Sequence, residues 1–149
     1  MQQEARILKQ QRMACSVVRL ALAATYLSAV ADRFGLWGGP GTPGVVWGAM
    51  APFLAYTAQV NSFLPASMAP FLGWTATVFE VGLALALSAG VRVRLTAAAS
   101  GALLLSFAVA MMISFGIKAP LDYSVFTGAA ASFLLAAFSP PDTGRASAD

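Results

Sequence analysis

The sequence has no histidine and a single cysteine, Cys15, among its 149 residues. An internal disulfide, a CxxC redox pair, a His-ligated haem and the common zinc sites therefore cannot be built from this chain alone, and no metal site is expected. Cys15 lies just inside the first apolar segment and reads as a small packing residue. Charge is scarce too: Asp, Glu, Lys and Arg make up 10% of the chain, against roughly 25% in soluble globular proteins. The net charge is +3, and the nine basic residues are not gathered into a patch that would track a phosphate backbone. Nucleic acid is not an expected partner.

What the sequence does have is apolar side chains, 58% of all residues. Most of the chain must then face lipid or its own helices. Four bilayer-spanning helices need about 20 residues each, which leaves room for loops but not for a fifth span. The expectation is an all-α integral membrane protein, a single membrane domain over 1–149. Its four-helix transmembrane bundle has spans at about 13–31, 67–89, 95–115 and 121–138, an outer lid over 34–65 and a tail over 139–149.

The first apolar segment follows a basic amphipathic stretch, Arg6, Lys9 and Arg12. It resembles a signal peptide, with Ala29-Val30-Ala31 as a candidate cleavage site, but Arg19 splits its apolar region and favours a retained helix. Residues 35–44 form a Gly/Pro-rich turn region that cannot stay helical. From Pro52 onward Phe53, Tyr56, Val60, Phe63 and Leu64 recur at helical spacing over a stretch too short to span. Trp37, Trp47 and Tyr56 suit the headgroup level, so this piece is expected as a short interfacial helix on the outer face, between spans one and two. The second span has Pro65 and Pro70 near its start and stops at Gly90. In the fourth, Ser124, Gly128 and Ser132 are four apart, a small-xxx-small stripe that lets another backbone approach.

With alternating spans, Arg6, Lys9, Arg12, Arg92, Arg94 and Arg145 fall on one side and only Arg33 and Lys118 on the other. The positive-inside rule then puts both termini in the cytoplasm and the lid outside.

Charge inside a bilayer costs about 2.5 to 3.5 kcal/mol per residue on insertion scales. Arg19 and Glu80 both fall within apolar spans, and the spacing predicts an Arg19–Glu80 ion pair or a shared polar pocket between helices one and two. Arg19, Tyr26 and Arg33 are seven apart and share one helix stripe, while Thr77, Glu80 and Ala84 share a face of the second span. Asp32, Arg33, Lys118 and Asp122 fall near helix ends at the outer side of this polar seam. A buried Arg–Glu pair can serve a function or only fix helix register, and the outer four can be ordinary helix-end charges.

The chain resembles the DoxX family of small four-helix bacterial membrane proteins. The resemblance rests on Val18-Arg19-Leu20 running to Asp32-Arg33-Phe34-Gly35, on Phe79-Glu80-Val81-Gly82-Leu83 leading to Gly90, and on the stretch from Gly116 through Lys118, Asp122 and Ser124 to Thr127. It covers roughly residues 18–138. The family is similar to the small subunit of a thiosulfate:quinone oxidoreductase and to a maturation protein of methylamine metabolism. It implies a four-helix fold in the bacterial cytoplasmic membrane and an association with membrane redox chemistry. The positions matching its polar pattern are Arg19, Glu80, Lys118 and Asp122.

Three functions emerge as expectations. The first is an auxiliary or assembly subunit of a membrane redox complex, packed against lipid and other subunits through the Ser124, Gly128, Ser132 stripe. The second is quinone binding in an apolar cavity, with Arg19, Glu80 and Tyr26 hydrogen-bonding the quinone oxygens and no intrinsic cofactor. The third is a small-molecule or proton-coupled carrier using Glu80.

Overall fold

The computed structural model describes residues 1–140. Arg145 and most of the expected tail lie outside the described residues. The first helix, α1, is continuous over Gln2–Arg33, 32 residues long, so the basic stretch and the first apolar segment form one rod of roughly 48 Å. It stops where Gly35 takes a left-handed φ of 71°, and a Cβ there would sit 3.0 Å from the Gly48 carbonyl oxygen. That contact folds the Gly/Pro-rich segment back on itself ahead of α2, Met50–Val60. Pro52 falls in the first turn of α2, where its missing N–H would have had no helical partner.

A single 3₁₀ turn over Ala66–Met68 leads into α3, Ala69–Ala89, which carries Pro70 in its first turn. Gly90 closes α3 with φ 72°, and the Gly90 and Val91 N–H groups donate to the carbonyls of Leu87 and Ala86. This left-handed cap satisfies the last carbonyls of the helix, as the sequence led one to expect. After a short turn comes α4, Val93–Phe115, ending at Gly116.

The last apolar segment differs from expectation. Leu121 and Asp122 belong to a short helix, α5, over Lys118–Asp122, and α6 runs only over Val125–Phe138. Between them Ser124 has a left-handed φ of 55°, which no continuous α-helix accommodates. Among the described residues there are no strands, and three segments are long and apolar enough to cross a membrane: Gln2–Arg33, Ala66–Ala89 and Val93–Phe115. The 14-residue α6 is apolar but shorter.

Helix α1 packs on α3, α3 on α4, α4 on α6 and α6 on α1, closing a ring, while α2 lies across α3 and α4. The interior of that ring is built from small residues: Ala23, Ala84, Ala97, Ser100, Gly101, Ala129 and Ser132 are all buried. Large apolar side chains such as Leu20, Phe71, Val78, Leu85, Leu95 and Ile113 face outward. Such inversion brings backbones close and offers hydrocarbon to the surroundings, the packing mode of helices in lipid. At Gly101 a Cβ would meet the Phe133 ring at 2.8 Å, so α4 and α6 approach as closely as they do because that position has no side chain.

The offset between α1 and α3 decides which polar residues meet. Arg33 reaches Thr77 and Glu80, whereas Arg19, 14 residues earlier, lies against Gly90, 10 residues beyond Glu80. Antiparallel helices advancing about 1.5 Å per residue require such pairing. Consequently α1 stops level with the middle of α3, and its first half projects past Gly90, with residues 1–10 all exposed. The rest of α3 is covered by α2, whose Phe53 and Thr57 pack on Gly73. The far end of α2 is tied to α4, where Ser114 donates to the Val60 carbonyl at 2.6 Å and accepts from Ser62 at 3.0 Å.

Candidate functional site

Glu80 is buried at the middle of α3, and its partner is Arg33. Arg33 Nη2 donates to Oε1 at 3.0 Å, and Nη1 lies 2.5 Å from Oε2 while donating to the Thr77 hydroxyl at 2.8 Å. Thr77 in turn donates to the Gly73 carbonyl at 2.8 Å, so its oxygen is oriented to accept from the guanidinium. The expected Arg19–Glu80 pair is thus replaced by Arg33–Glu80. The reason is the helix offset: equating the midpoints of the two apolar segments slides α1 by nearly three turns from its actual place. Of the wider expected seam, the stripe of Arg19, Tyr26 and Arg33 against Thr77, Glu80 and Ala84, all but Arg19 are buried, and Arg19 lies half-buried at Gly90 instead.

Arg33 is also caged by aromatic rings from the segment that follows α1 and from α2. Its guanidinium carbon lies 3.8 Å from the Phe53 ring centroid and 5.4 Å from that of Trp47, and these two rings meet edge to face at 5.1 Å. An arginine so placed gains from the ring quadrupoles as well as from its carboxylate, which helps offset the loss of water. Neighbouring Asp32 is buried too, and its Oδ2 accepts from the Trp47 backbone N–H at 2.9 Å. Two consecutive residues at the end of α1 therefore hold the same tryptophan, one by its backbone and one by its ring.

Three polar atoms of this cluster are buried without a hydrogen-bond partner among the described residues: Arg33 Nε, Glu80 Oε2 and Asp32 Oδ1. Oε2 has the guanidinium beside it as a counter-charge, but not in hydrogen-bonding alignment. One of the three is a donor and two are acceptors. Leaving such atoms without hydrogen bonds costs about 1 to 3 kcal/mol each, more when charged.

Below the pair, Tyr26 extends the polar line. Its hydroxyl meets the Ser100 hydroxyl at 2.8 Å, the Ser100 hydroxyl meets that of Ser132 at 3.0 Å, and Ser132 donates to the Gly128 carbonyl at 2.9 Å. The chain of hydroxyls ties α1, α4 and α6 together in an interior of alanines. Ser100 was not among the residues the sequence singled out, since a serine in an apolar helix is ordinary and its partners lie on two other helices.

Arg33, Glu80 and Tyr26 line a cavity of about 1710 Å³ whose other walls are mostly apolar, including Trp47, Phe53, Phe79, Leu104 and Met111. Tyr56 and Tyr123 also line it, and burial, then the nearby Tyr123, pushes the Tyr56 phenol above its ordinary value. Tyr56 is therefore a neutral hydroxyl donor at physiological pH.

The remaining expected site residues fall elsewhere. Lys118 and Asp122 pair with each other one turn apart on α5, exposed to the surroundings, so the outer four separate into a buried couple and a surface couple. The Ser124, Gly128, Ser132 stripe does not offer a free face: Ser132 is fully buried against Ser100, a Cβ on Gly128 would meet Leu104 at 3.2 Å, and Ser124 is the break before α6. Gly128 and Ser132 serve the α4–α6 contact within the chain, while Ser124 is exposed. Among the described residues no group of three or more Cys, Asp or Glu is placed to hold a metal ion. The chain matches no protein-family model, no curated protein and no solved structure.

Proposed function

We propose that the chain is a four-span protein of the bacterial cytoplasmic membrane that binds a quinone in the cavity beside Arg33 and Glu80, as an auxiliary subunit of a membrane redox complex. The observation that carries this is a buried ion pair in the wall of a large apolar cavity, with Arg33 Nε and Glu80 Oε2 lacking hydrogen bonds. Once a rotation of the pair brings these buried atoms to the cavity, a quinone carbonyl oxygen can accept from Nε and a quinol hydroxyl can donate to Oε2. The isoprenoid tail would lie along the apolar walls, the usual division of labour in sites for amphiphilic ligands. No redox group comes from the chain itself in this reading, so electrons arrive from a partner subunit.

In the same reading α5 and α6 together make the fourth crossing, α2 is the outer-face lid, and both termini are cytoplasmic by the distribution of Lys and Arg. The likeness of Val18-Arg19-Leu20, Phe79-Glu80-Val81 and the Lys118 to Thr127 stretch to DoxX proteins is the reason for choosing a quinone among amphiphiles. A carrier that protonates Glu80 is a second reading, favoured by the break at Ser124, since discontinuous helices mark many transport sites. Arg33 opposes it, because a neutral Glu80 would leave the buried guanidinium without its counter-ion.

The test is the quinone content of protein purified in mild detergent. About one quinone per chain, reduced at least tenfold in Glu80→Gln and Arg33→Leu variants, supports the proposal. Protein without quinone, and native membranes whose quinone reduction is unchanged by removing it, would sink the proposal.

A further inference from the structure

At the other end of α1 lies a second groove, about 420 Å³, between the lower half of α1, the start of α4 and the end of α6. Its charged lining among the described residues consists of Arg12 and Arg19, with Gln11, Ser16 and Ser139 as the neutral polar groups and no carboxylate. The remaining wall is apolar, with Leu8, Val93, Leu135 and Phe138. Arg19 is half-buried, and its Nε is shielded from solvent without a hydrogen-bond partner among the described residues. The guanidinium is held against the cap of α3, where a Cβ on Gly90 would come within 2.6 Å of Nη1.

A guanidinium fixed at a helix end, lining an apolar groove with a second arginine seven residues away on the same stripe, is a receptor for a tetrahedral oxyanion. The apolar wall beside it is more than a free anion needs. We infer that this groove binds the phosphodiester of an anionic phospholipid, with Arg19 and Arg12 on the phosphate and the first acyl methylenes against Leu135 and Phe138. Three observations favour that occupant. The charge lining the groove is positive. The groove lies at the level where α3 ends, which is where headgroups meet a spanning helix. Arg92 lies in the turn that follows Gly90 and adds positive charge at that end. Basic pockets between apolar helices on the positively charged side of a membrane protein are where anionic headgroups bind. This assignment does not depend on what fills the cavity at Glu80.

The experiment uses the full chain in a neutral detergent, with thermal unfolding followed as phosphatidylglycerol is added to the micelles. Phosphatidylcholine and inorganic phosphate serve as separate arms. The expected result is stabilisation by phosphatidylglycerol alone, with apparent affinity lowered about tenfold in Arg19→Gln and unchanged in Arg6→Gln, which removes a basic residue outside the groove. Arg19→Lys should lie between, since it keeps the charge and loses the fork. If Arg19→Gln does not yield folded protein, Arg12→Gln carries the test, with a several-fold loss expected. Equal stabilisation by phosphatidylcholine, an equal effect of inorganic phosphate, or full retention of the phosphatidylglycerol effect in the groove variants would each overturn the inference.

Discussion

Tyr26 of α1 and Ser100 of α4, 74 residues apart in sequence, meet hydroxyl to hydroxyl at 2.8 Å, and the phenol also reaches the Ser100 carbonyl at 3.3 Å. Together these contacts form the polar link between α1 and the α4–α6 pair in an otherwise alanine-rich layer. Tyr26→Phe should therefore lower stability by about 1 to 2 kcal/mol, because it removes the bond and leaves its shape in place. Ser100→Ala should cost at least as much, since both Tyr26 and Ser132 lose a partner. Thermal melts of the two variants in one detergent check this, and unchanged melting of both would show that the hydroxyl line carries no stability.

The Arg33–Glu80 pair predicts non-additive losses. Arg33→Leu or Glu80→Leu alone leaves a buried charge without its counter-ion, at a cost of about 3 to 5 kcal/mol. The double variant removes both charges and should recover most of that loss. A full double-mutant cycle in denaturant measures the coupling, and simple addition of the two single losses would contradict the pairing.

Much of this site was legible in the residues, and what was not has a definite cause. The heptad spacing of Arg19, Tyr26 and Arg33 set one stripe of which the last two are buried and Arg19 half-buried, the face shared by Thr77 and Glu80 followed from helical period, and Gly90 marked the end of α3. These are properties of one helix at a time. The Arg33–Glu80 pairing depends on how far α1 slides along α3, which is set by the path of residues 34–68 and by the continuation of α1 into a charged segment that apolar periodicity does not register. The break at Ser124 was equally hidden, because a left-handed serine has no glycine or proline to announce it. The small stripe of the last helix was visible, but its partner turned out to be α4, whose Gly101 and Ser100 supply the complementary surface.

Gly90 is subject to two demands, a left-handed backbone and a guanidinium in the space a side chain would take. Gly90→Ala should cost about 1 to 2 kcal/mol for the backbone alone. The penalty measured in an Arg19→Ala background should be smaller than in the natural chain, because the steric part is gone. Equal penalties in both backgrounds would mean that Arg19 yields without cost.

Occupancy of the large cavity can be separated from the integrity of the ion pair. Ala110 lines the cavity from α4, which carries no member of the Arg33 cluster, so Ala110→Trp fills space away from the pair. Under the quinone reading, this variant keeps its melting behaviour and loses bound quinone at least tenfold. Unchanged quinone content in Ala110→Trp would place the ligand elsewhere on the protein.

Arg33 and Glu80 are separated by 47 residues of chain. At synthesis rates of roughly 5 to 20 residues per second, the arginine emerges a few seconds before the carboxylate that neutralises it. Until then α1 has a charge at its end with no counter-ion, and the glycine-rich segment behind it is free to keep that end in water. If α1 crosses a bilayer, its arginine gains the Glu80 counter-charge only once α3 has been made, so settling of the first segment is tied to the arrival of the second.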